Sequence, residues 1–329
     1  MVELTGGARL AAVAPNPSID RLIEVQDLER GEIHRPLAVT VVAGGKGFNV
    51  ARAAATLGAK VTAIGLLGGH AGRWIAEALD AEGIVVRAGW RQAETRTCTS
   101  VFDRRDGRTT EFYESGTPLE ENDWELFLGE IDSTLATDDV GLVSVSGSLP
   151  PGAPENGVAQ IVERTRSTRR RVVVDGHGAA LTMAMSARPW MVKVNLAEAL
   201  AILDPTAPTQ RAGPRDTSIA AAAAAVRSLR EAGAEHAIVT VGTLGSVASL
   251  EDDTLIHVWA GQLGTYPVGS GDAFLAGVAM SVLAGGDTRD AVVRGTAAAA
   301  ASSRVPGAGR LDRATAEALI AEVIVEALP

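Results

Sequence analysis

Lys60 to Arg87 reads KVTAIGLLGGHAGRWIAEALDAEGIVVR, and its pattern is strand, helix, strand. Lys60 to Leu67 is a short apolar run. Ala71 to Glu82 carries a helical pattern ended by Gly83, and Ile84 to Arg87 is apolar again. Two short strands separated by a helix are expected to lie parallel, with the helix as the crossover. Outward from this stretch the rhythm repeats. Helix Glu120 to Leu135 leads to strand Val140 to Val145, and helix Asn156 to Thr165 to strand Arg171 to Val174. Helices Leu196 to Leu203 and Ser218 to Ala232 lead to strand His236 to Val241. Toward the amino terminus, Arg9 to Ala14 is a strand closed by Pro15-Asn16-Pro17, and Val50 to Leu57 is a helix ended by Gly58. The tail reads as three helices: Ala273 to Leu283, Thr288 to Ser303 and Arg313 to Leu328. The alternation predicts an α/β fold with a mostly parallel central sheet covered on both faces.

Some segments break that rhythm. Ser18 to Val25 alternates polar and apolar, and Arg35 to Val42 is β-rich. Thr97 to Asp103 and Thr109 to Glu114 flank an Asp-Gly turn signal, which makes a hairpin; a further hairpin, Ser246 to Leu250 with Thr254 to Trp259, belongs to the main run and not to these exceptions. Residues 16–43 and 95–116 are expected to build one small sheet, inserted at two places, that acts as a lid beside the carboxyl ends of the main sheet. With no fixed repeat and no long linker, residues 1–329 read as one domain. Apolar residues on both faces of the lid (Leu37, Val39 and Val41 against Ala38 and Val42) suggest a homodimer formed through it.

Composition narrows the function. Of 329 residues, 46% are hydrophobic and 21% charged, enough to bury a large core. The net charge of −10 argues against nucleic acid or an anionic membrane as partner. The densest basic run, Arg164 to Arg171, ends a helix and reads as a solvated face. A single cysteine, Cys98, excludes an intrachain disulfide and a cysteine-based zinc cluster. The opening MVELTGGARL lacks a basic region followed by a long apolar run, and Ala220 to Ala225 is too short to cross a bilayer. A cytoplasmic protein is expected.

No P-loop, nucleophile elbow or dinucleotide fingerprint is present, and the five histidines lack metal-ligand spacing. Two Gly-rich turns, each opening a helix, carry the chemistry. In Gly264 to Phe274 (GTYPVGSGDAF), a curled backbone can aim several N–H groups at one anion, reinforced by the helix dipole. Asp272 sits beside that anion site. It is either an early helix residue favoured by the dipole or a base for an attacking hydroxyl. In Gly44 to Asn49, Lys46 can hold an anion and Asn49 can pair with sugar hydroxyls; the other reading is an ordinary tight turn. Asn195 and Glu198 share a helix face, which suits either Mg²⁺ or a capping box.

Gly44-Gly45-Lys46-Gly47-Phe48-Asn49-Val50-Ala51-Arg52 and Val268-Gly269-Ser270-Gly271-Asp272 resemble the two signatures of the PfkB (ribokinase-like) carbohydrate kinases. Asn16-Pro17-Ser18-Ile19-Asp20, Gly68-Gly69 and Ser146-Gly147-Ser148-Leu149-Pro150 resemble the branch that phosphorylates sugar phosphates, with 1-phosphofructokinase and tagatose-6-phosphate kinase. The resemblance implies a ribokinase-like three-layer α/β/α sandwich. It implies Asp272 as the base and the Gly269, Ser270 and Gly271 amides as the anion hole. It places Asp20, Gly45 and Asn49 on sugar hydroxyls, and Lys46 and Arg96 on the phosphate already present on the substrate. Ser146 joins the substrate side. Lys193, Gly242, Gly245 and Ser303 would border ATP, and Asn195 and Glu198 would serve Mg²⁺.

The chain departs from the family at several points: Tyr266, Val194, Thr243-Leu244, and Asp175-Gly176-His177-Gly178 in place of Asp-Thr-Ser-Gly. The expected activity is ATP-dependent phosphorylation of a ketohexose phosphate, foremost fructose 1-phosphate, with tagatose 6-phosphate or fructose 6-phosphate next. A sugar-phosphate-binding sensor on the same fold is the alternative from another class.

Overall fold

The computed structural model describes residues 7–203 and 215–329. The leader reading of the amino terminus falls mainly on residues 1–6, outside the described residues.

The first parallel unit is β1 (Arg9–Ala14), β4 (Lys60–Gly68) and β5 (Val85–Arg91), with α1 (Lys46–Leu57) and α2 (Gly69–Ala81) as crossovers. Next come α3 (Asp123–Leu135), β8 (Val140–Ser146), α4 (Gly157–Ser167), β9 (Arg171–Asp175), α5 (Gly178–Ser186) and β10 (Met191–Asn195). The run continues with α6 (Leu196–Leu203), α7 (Arg215–Glu231) and β11 (His236–Thr240). Then follow β12 (Ser246–Ser249), β13 (Leu255–Ala260), α8 (Ser270–Leu283), α9 (Thr288–Ser302), α10 (Arg313–Leu319) and β14 (Val323–Leu328).

Together they form one ten-stranded sheet in the order β14-β13-β12-β11-β10-β9-β8-β1-β4-β5. It is parallel from β11 to β5 and antiparallel at the β12–β14 end. The central strands β1, β4, β8 and β9 are buried on both faces, with alternate residues feeding two cores. Leu10, Ala12 and Ala14 pack with α1, α2, α8, α9 and α10, whereas Ala11 and Val13 pack with α3, α4, α5 and α7. Helix α8 is buried nearly all round because it lies between the sheet, α1 and α9. A Cβ on Gly277 would come within 2.5 Å of the Arg294 carbonyl, so small residues let α8 and α9 approach closely.

A second, four-stranded sheet has the order β3-β2-β6-β7, from β2 (Ser18–Val25), β3 (Ala38–Gly44), β6 (Arg96–Asp103) and β7 (Thr109–Tyr113). It is the small sheet expected from the two segments that break the rhythm. Leu37, Val39, Val41 and Phe112 are exposed, and Val42 is buried.

Three elements differ from expectation. Arg313 to Leu328 is not one helix: α10 stops at Leu319, a single 3₁₀ turn spans Ile320–Glu322, and β14 pairs antiparallel with β13. Three consecutive β-branched residues, Val323-Ile324-Val325, favour the strand. Strand β10 and helix α5 escape the sequence reading. Lys193 interrupts the apolar run of β10, and Gly176 and Gly178 make the start of α5 look like a turn. No described helix is long and apolar enough to cross a membrane.

Candidate active site

The parallel strands end along one edge of the sheet, and loops leave there in spatial order. β11 leads into Gly242–Gly245, β10 ends at Asn195, β9 at Asp175, and β8 leads into Gly147-Ser148. β1 leads toward the small sheet. Ligands of open α/β sheets bind at this edge. A cavity of about 610 Å³ lies along it. On the side of the small sheet its wall includes Asp20, Gly45, Lys46, Asn49 and Arg96. On the other side it includes Lys193, Asn195, Glu198, Gly242, Gly245 and Ser303, with Gly269 to Asp272 also in the wall. Ser146 is fully buried behind the wall, its Oγ without a hydrogen-bond partner, while its neighbours Gly147 and Ser148 line the cavity.

The turn into α8 forms because Gly269 takes φ 82°, the left-handed region that glycine tolerates, and caps the helix. Added bulk is excluded as well: a Cβ there would lie 2.6 Å from the Gly309 nitrogen and 2.7 Å from Ala308 Cα. Asp272 follows in the first turn of α8 and is 6% exposed. Its Oδ2 accepts from Asn49 Nδ2 at 2.9 Å. Burial, then the nearby Asp175 carboxylate, push the Asp272 carboxyl up to about 7, against the pull of Lys46, Lys193 and the Asn49 amide. A carboxyl poised near neutrality suits proton abstraction.

The turn into α1 brings Asp20 and Asn49 together. A Cβ on Gly44 would lie 2.1 Å from Asp20 Cγ, so only glycine lets that carboxylate approach. Asp20 Oδ1 accepts from Ser18 Oγ at 2.6 Å, and its Oδ2 accepts from the Gly45 N–H at 3.2 Å and Asn49 Nδ2 at 3.4 Å.

Between the two turns lies a chain of alternating charge. Glu198 pairs with Lys46 at 3.1 Å, Lys46 with Asp175 at 3.0 Å, and Asp175 with Lys193 at 2.7 Å. Burial disfavours the Lys46 charge, but Asp175, Glu198 and Asp272 more than offset it, and the ammonium stays protonated well above its usual range. Burial would also raise the Asp175 carboxyl, yet Lys193 and Lys46 outweigh it and hold it below the ordinary range. Lys193 Nζ lies 3.0 Å from where a Cβ on Gly271 would sit, which sets an ammonium beside the α8 turn.

Lys46 is thus engaged by two carboxylates. The terminal nitrogens of Arg96 also have partners, donating to the carbonyls of Glu114 at 2.7 Å and Asn16 at 2.8 Å. Ser303 Oγ accepts from the Gly264 N–H and donates to the Ala300 carbonyl, tying the approach to the turn onto the end of α9.

Asn195 and Glu198 make the reciprocal capping pair: the Glu198 N–H donates to Asn195 Oδ1 at 2.8 Å, and the Asn195 N–H to Glu198 Oε2 at 2.9 Å. Glu198 Oε1 faces Lys46. One carboxylate and one exposed amide are too few for an all-protein cage but would fit a Mg²⁺ that keeps most of its water. Among the described residues, no group of three His, Cys, Asp or Glu could hold a metal ion.

Several residues in or beside the site were given no role from the sequence: Asp175, His177 and Tyr266 stood out only in the departures, and Glu111 and Tyr113 not at all. Asp175 joins the two lysines, and the available signal was an acidic residue closing the buried strand Val172-Val173-Val174. His177 enters the cavity wall from the departure noted at 175–178, and Glu111 and Tyr113 from the small sheet. Tyr266 sits on the approach to the α8 turn, its ring tilted on Phe102 of β6 at 5.4 Å between centroids.

The family model for pfkB family carbohydrate kinases matches residues 14–314. Phosphofructokinase-2 from Escherichia coli is 25% identical with a TM-score of 0.81, the match covering 95% of this chain and 98% of that one. A Thermotoga maritima chain bearing the name "possible 1-phosphofructokinase" is 23% identical with a TM-score of 0.83, covering 98% of this chain and all of that one. Arabidopsis thaliana ribokinase, solved with ribose and ATP, is 22% identical with a TM-score of 0.69, covering 95% and 98%. The last two likenesses show the fold, a ribokinase-like α/β architecture.

Proposed function

The chain belongs to the pfkB family carbohydrate kinases, and from that premise we propose that it transfers the terminal phosphoryl group of ATP to a ketohexose phosphate. Fructose 1-phosphate is the first choice, giving fructose 1,6-bisphosphate and ADP. The observation that carries the reading is the placement of Asp272. It is buried, raised toward neutrality, hydrogen-bonded by Asn49, and one residue past the Gly269 to Gly271 turn.

The acceptor sugar lies under the small sheet, its hydroxyls facing Asp20, Gly45 and Asn49. Asp272 takes the proton of the attacking hydroxyl. The freed oxygen bonds to the terminal phosphorus of ATP, and the bond from that phosphorus to the bridging oxygen breaks, releasing ADP. The amides of the turn and the Lys193 ammonium face the charge on the moving phosphoryl group. Gly242, Gly245 and Ser303 border the nucleotide. Asn195 and Glu198 would hold hydrated Mg²⁺, which when bound neutralises phosphate charge. The small sheet serves as a lid that keeps water from the phosphoryl group.

A second acceptor class has one observation in its favour. Lys46 and the Arg96 terminal nitrogens already have partners, so an unphosphorylated ketohexose fits the acceptor side with less rearrangement. A coupled ADP-release assay over fructose 1-phosphate, tagatose 6-phosphate, fructose 6-phosphate and the neutral ketohexoses decides between them, with Asp272→Asn as control. Turnover of a sugar phosphate above the control is the expected result. Ligand-induced stabilisation without turnover of any sugar would contradict the kinase reading and favour the sensor.

The exposed Leu37, Val39, Val41 and Phe112 on the small sheet support a homodimer through that face. Light scattering should give a dimer mass, reduced to a monomer by Val39→Glu. The single cysteine and the ATP donor accord with action in the cytoplasm.

A further inference from the structure

Arg52 lies on α1 one turn beyond Asn49 and is 5% exposed. Its guanidinium is divided among four groups. Nε pairs with the Glu82 carboxylate at 2.8 Å, and Nη2 donates to the Ala43 carbonyl at 2.5 Å. Nη1 faces both Asn49 Oδ1 and the Ala308 carbonyl, each at 3.4 Å. The Glu82 contact balances a charge that would be costly to bury alone.

A guanidinium only donates, so the Asn49 atom facing it has to be the oxygen. That leaves Asn49 Nδ2 on the other side, where it donates to Asp272 Oδ2 at 2.9 Å and approaches Asp20 Oδ2 at 3.4 Å. The reversed amide would set an oxygen against two carboxylates and an NH₂ against a guanidinium. Arg52 therefore settles which end of the amide the cavity meets.

The other two contacts reach further. Ala43 is next to last in β3, just before the Gly44-Gly45 turn. Ala308 and Gly309 stand directly behind Gly269, the cap of α8. A Cβ on Gly309 would in turn lie 2.5 Å from the Asn49 carbonyl. One side chain thus ties the end of the small sheet, the amide that faces Asp272, and the backing of the anion turn.

We propose that Arg52 is a positioning residue for phosphoryl transfer: it orients the Asn49 amide toward Asp272 and Asp20 and pins the loop behind Gly269 to the same point. The proposal rests on reading Asp272 as the base. Arg52 touches neither substrate in that reading and acts through Asn49 and Ala308. Beyond Asn49 itself, the charged groups bearing on Asp272 are Asp175 from β9, Lys193 from β10 and Lys46 from α1, with Asp20 across the amide.

Two measurements test it. Arg52→Lys keeps the charge and loses the fork. In wild-type background it should lower kcat/KM for the acceptor by about thirtyfold, while the KM for ATP changes by less than about twofold. In an Asn49→Ala background the same substitution should cost less than about threefold, because the amide it orients is gone. Equal losses in both backgrounds, or an undiminished kcat/KM in Arg52→Lys, would overturn the proposal.

The second measurement needs no turnover. In the free protein with ¹³C-labelled aspartate carboxyls, the Asp272 midpoint should move to higher pH in Arg52→Lys, since the freed amide can turn its oxygen toward the carboxyl. An unmoved midpoint overturns the proposal. If Arg52→Lys does not fold, Glu82→Gln loosens the outer side of the guanidinium and should move the midpoint in the same direction, and no movement there is equally fatal. A wild-type protein that phosphorylates no sugar defeats the kinase reading, while this titration still decides the role of Arg52.

Discussion

Asp175 and Asp272 are both aspartates, both buried, and both within the field of Lys46 and Lys193. Asp175 ends a strand and touches both ammonium groups directly, so its carboxyl is held below the ordinary range. Asp272 opens a helix, its hydrogen-bond partner is a neutral amide, and its carboxyl is pushed up to about 7. The difference is one of contact. The first aspartate spends its charge on fixing two lysines, and the second keeps a proton affinity that chemistry at neutral pH can use. Paired carboxyls driven apart in this way mark the division between a structural charge and an acid or base.

The comparison breaks first at Asp272. Asp272→Asn removes the proton acceptor and keeps the shape, and should lower kcat by about 10³-fold in the ADP-release assay. A loss below tenfold would move the base elsewhere. At Asp175 the larger effect is on the fold. Asp175→Asn leaves Lys193 buried without a counter-charge and should reduce unfolding free energy by about 3 kcal/mol in urea titration. In the same variant the acid limb of the activity profile should move below pH 7, because a negative neighbour of Asp272 has gone.

A third experiment reads the raised carboxyl as a stability cost. The folded protein holds the Asp272 proton between the ordinary value of 3.8 and about 7, where the unfolded chain has released it. Stability from this group therefore falls as pH rises through that window. Asp272→Asn removes the penalty, so the inactive variant should be the more stable protein at pH 8, on the order of 2 kcal/mol, with the gap closing by pH 4. Thermal melts at the two pH values check it.

The smallest effect belongs to Tyr266, which touches neither aspartate. Tyr266→Asn gives up the ring contact with Phe102 and should cost about 1 kcal/mol in chemical denaturation. Its activity profile should keep the wild-type acid limb. A displaced limb would mean that the approach to the turn also tunes Asp272.

Much of this arrangement was legible in the sequence. The strand–helix rhythm around Lys60 to Arg87 carried the α/β class, and the segments that broke it marked the small sheet. The Gly-rich turns announced where the backbone would curl, because glycines at left-handed or crowded positions leave a strong signal. What stayed hidden depended on long-range pairing. Lys193 disguised a central strand, since a charge in a buried strand makes sense only beside Asp175, 18 residues away in sequence. Lys46 read as a free cation because its partners lie 129 and 152 residues away. At the tail, helical periodicity hid the preference of Val323-Ile324-Val325 for an edge strand, which the pairing with β13 supplies.

The most direct test of the central claim, that Asp272 is the base of a carbohydrate kinase, is the pH dependence of kcat/KM with the best acceptor. The expected profile rises from acid with a midpoint near pH 7, and the rise disappears in the residual activity of Asp272→Asn. A wild-type profile flat between pH 5 and 9, or one whose acid limb survives in Asp272→Asn, would contradict it.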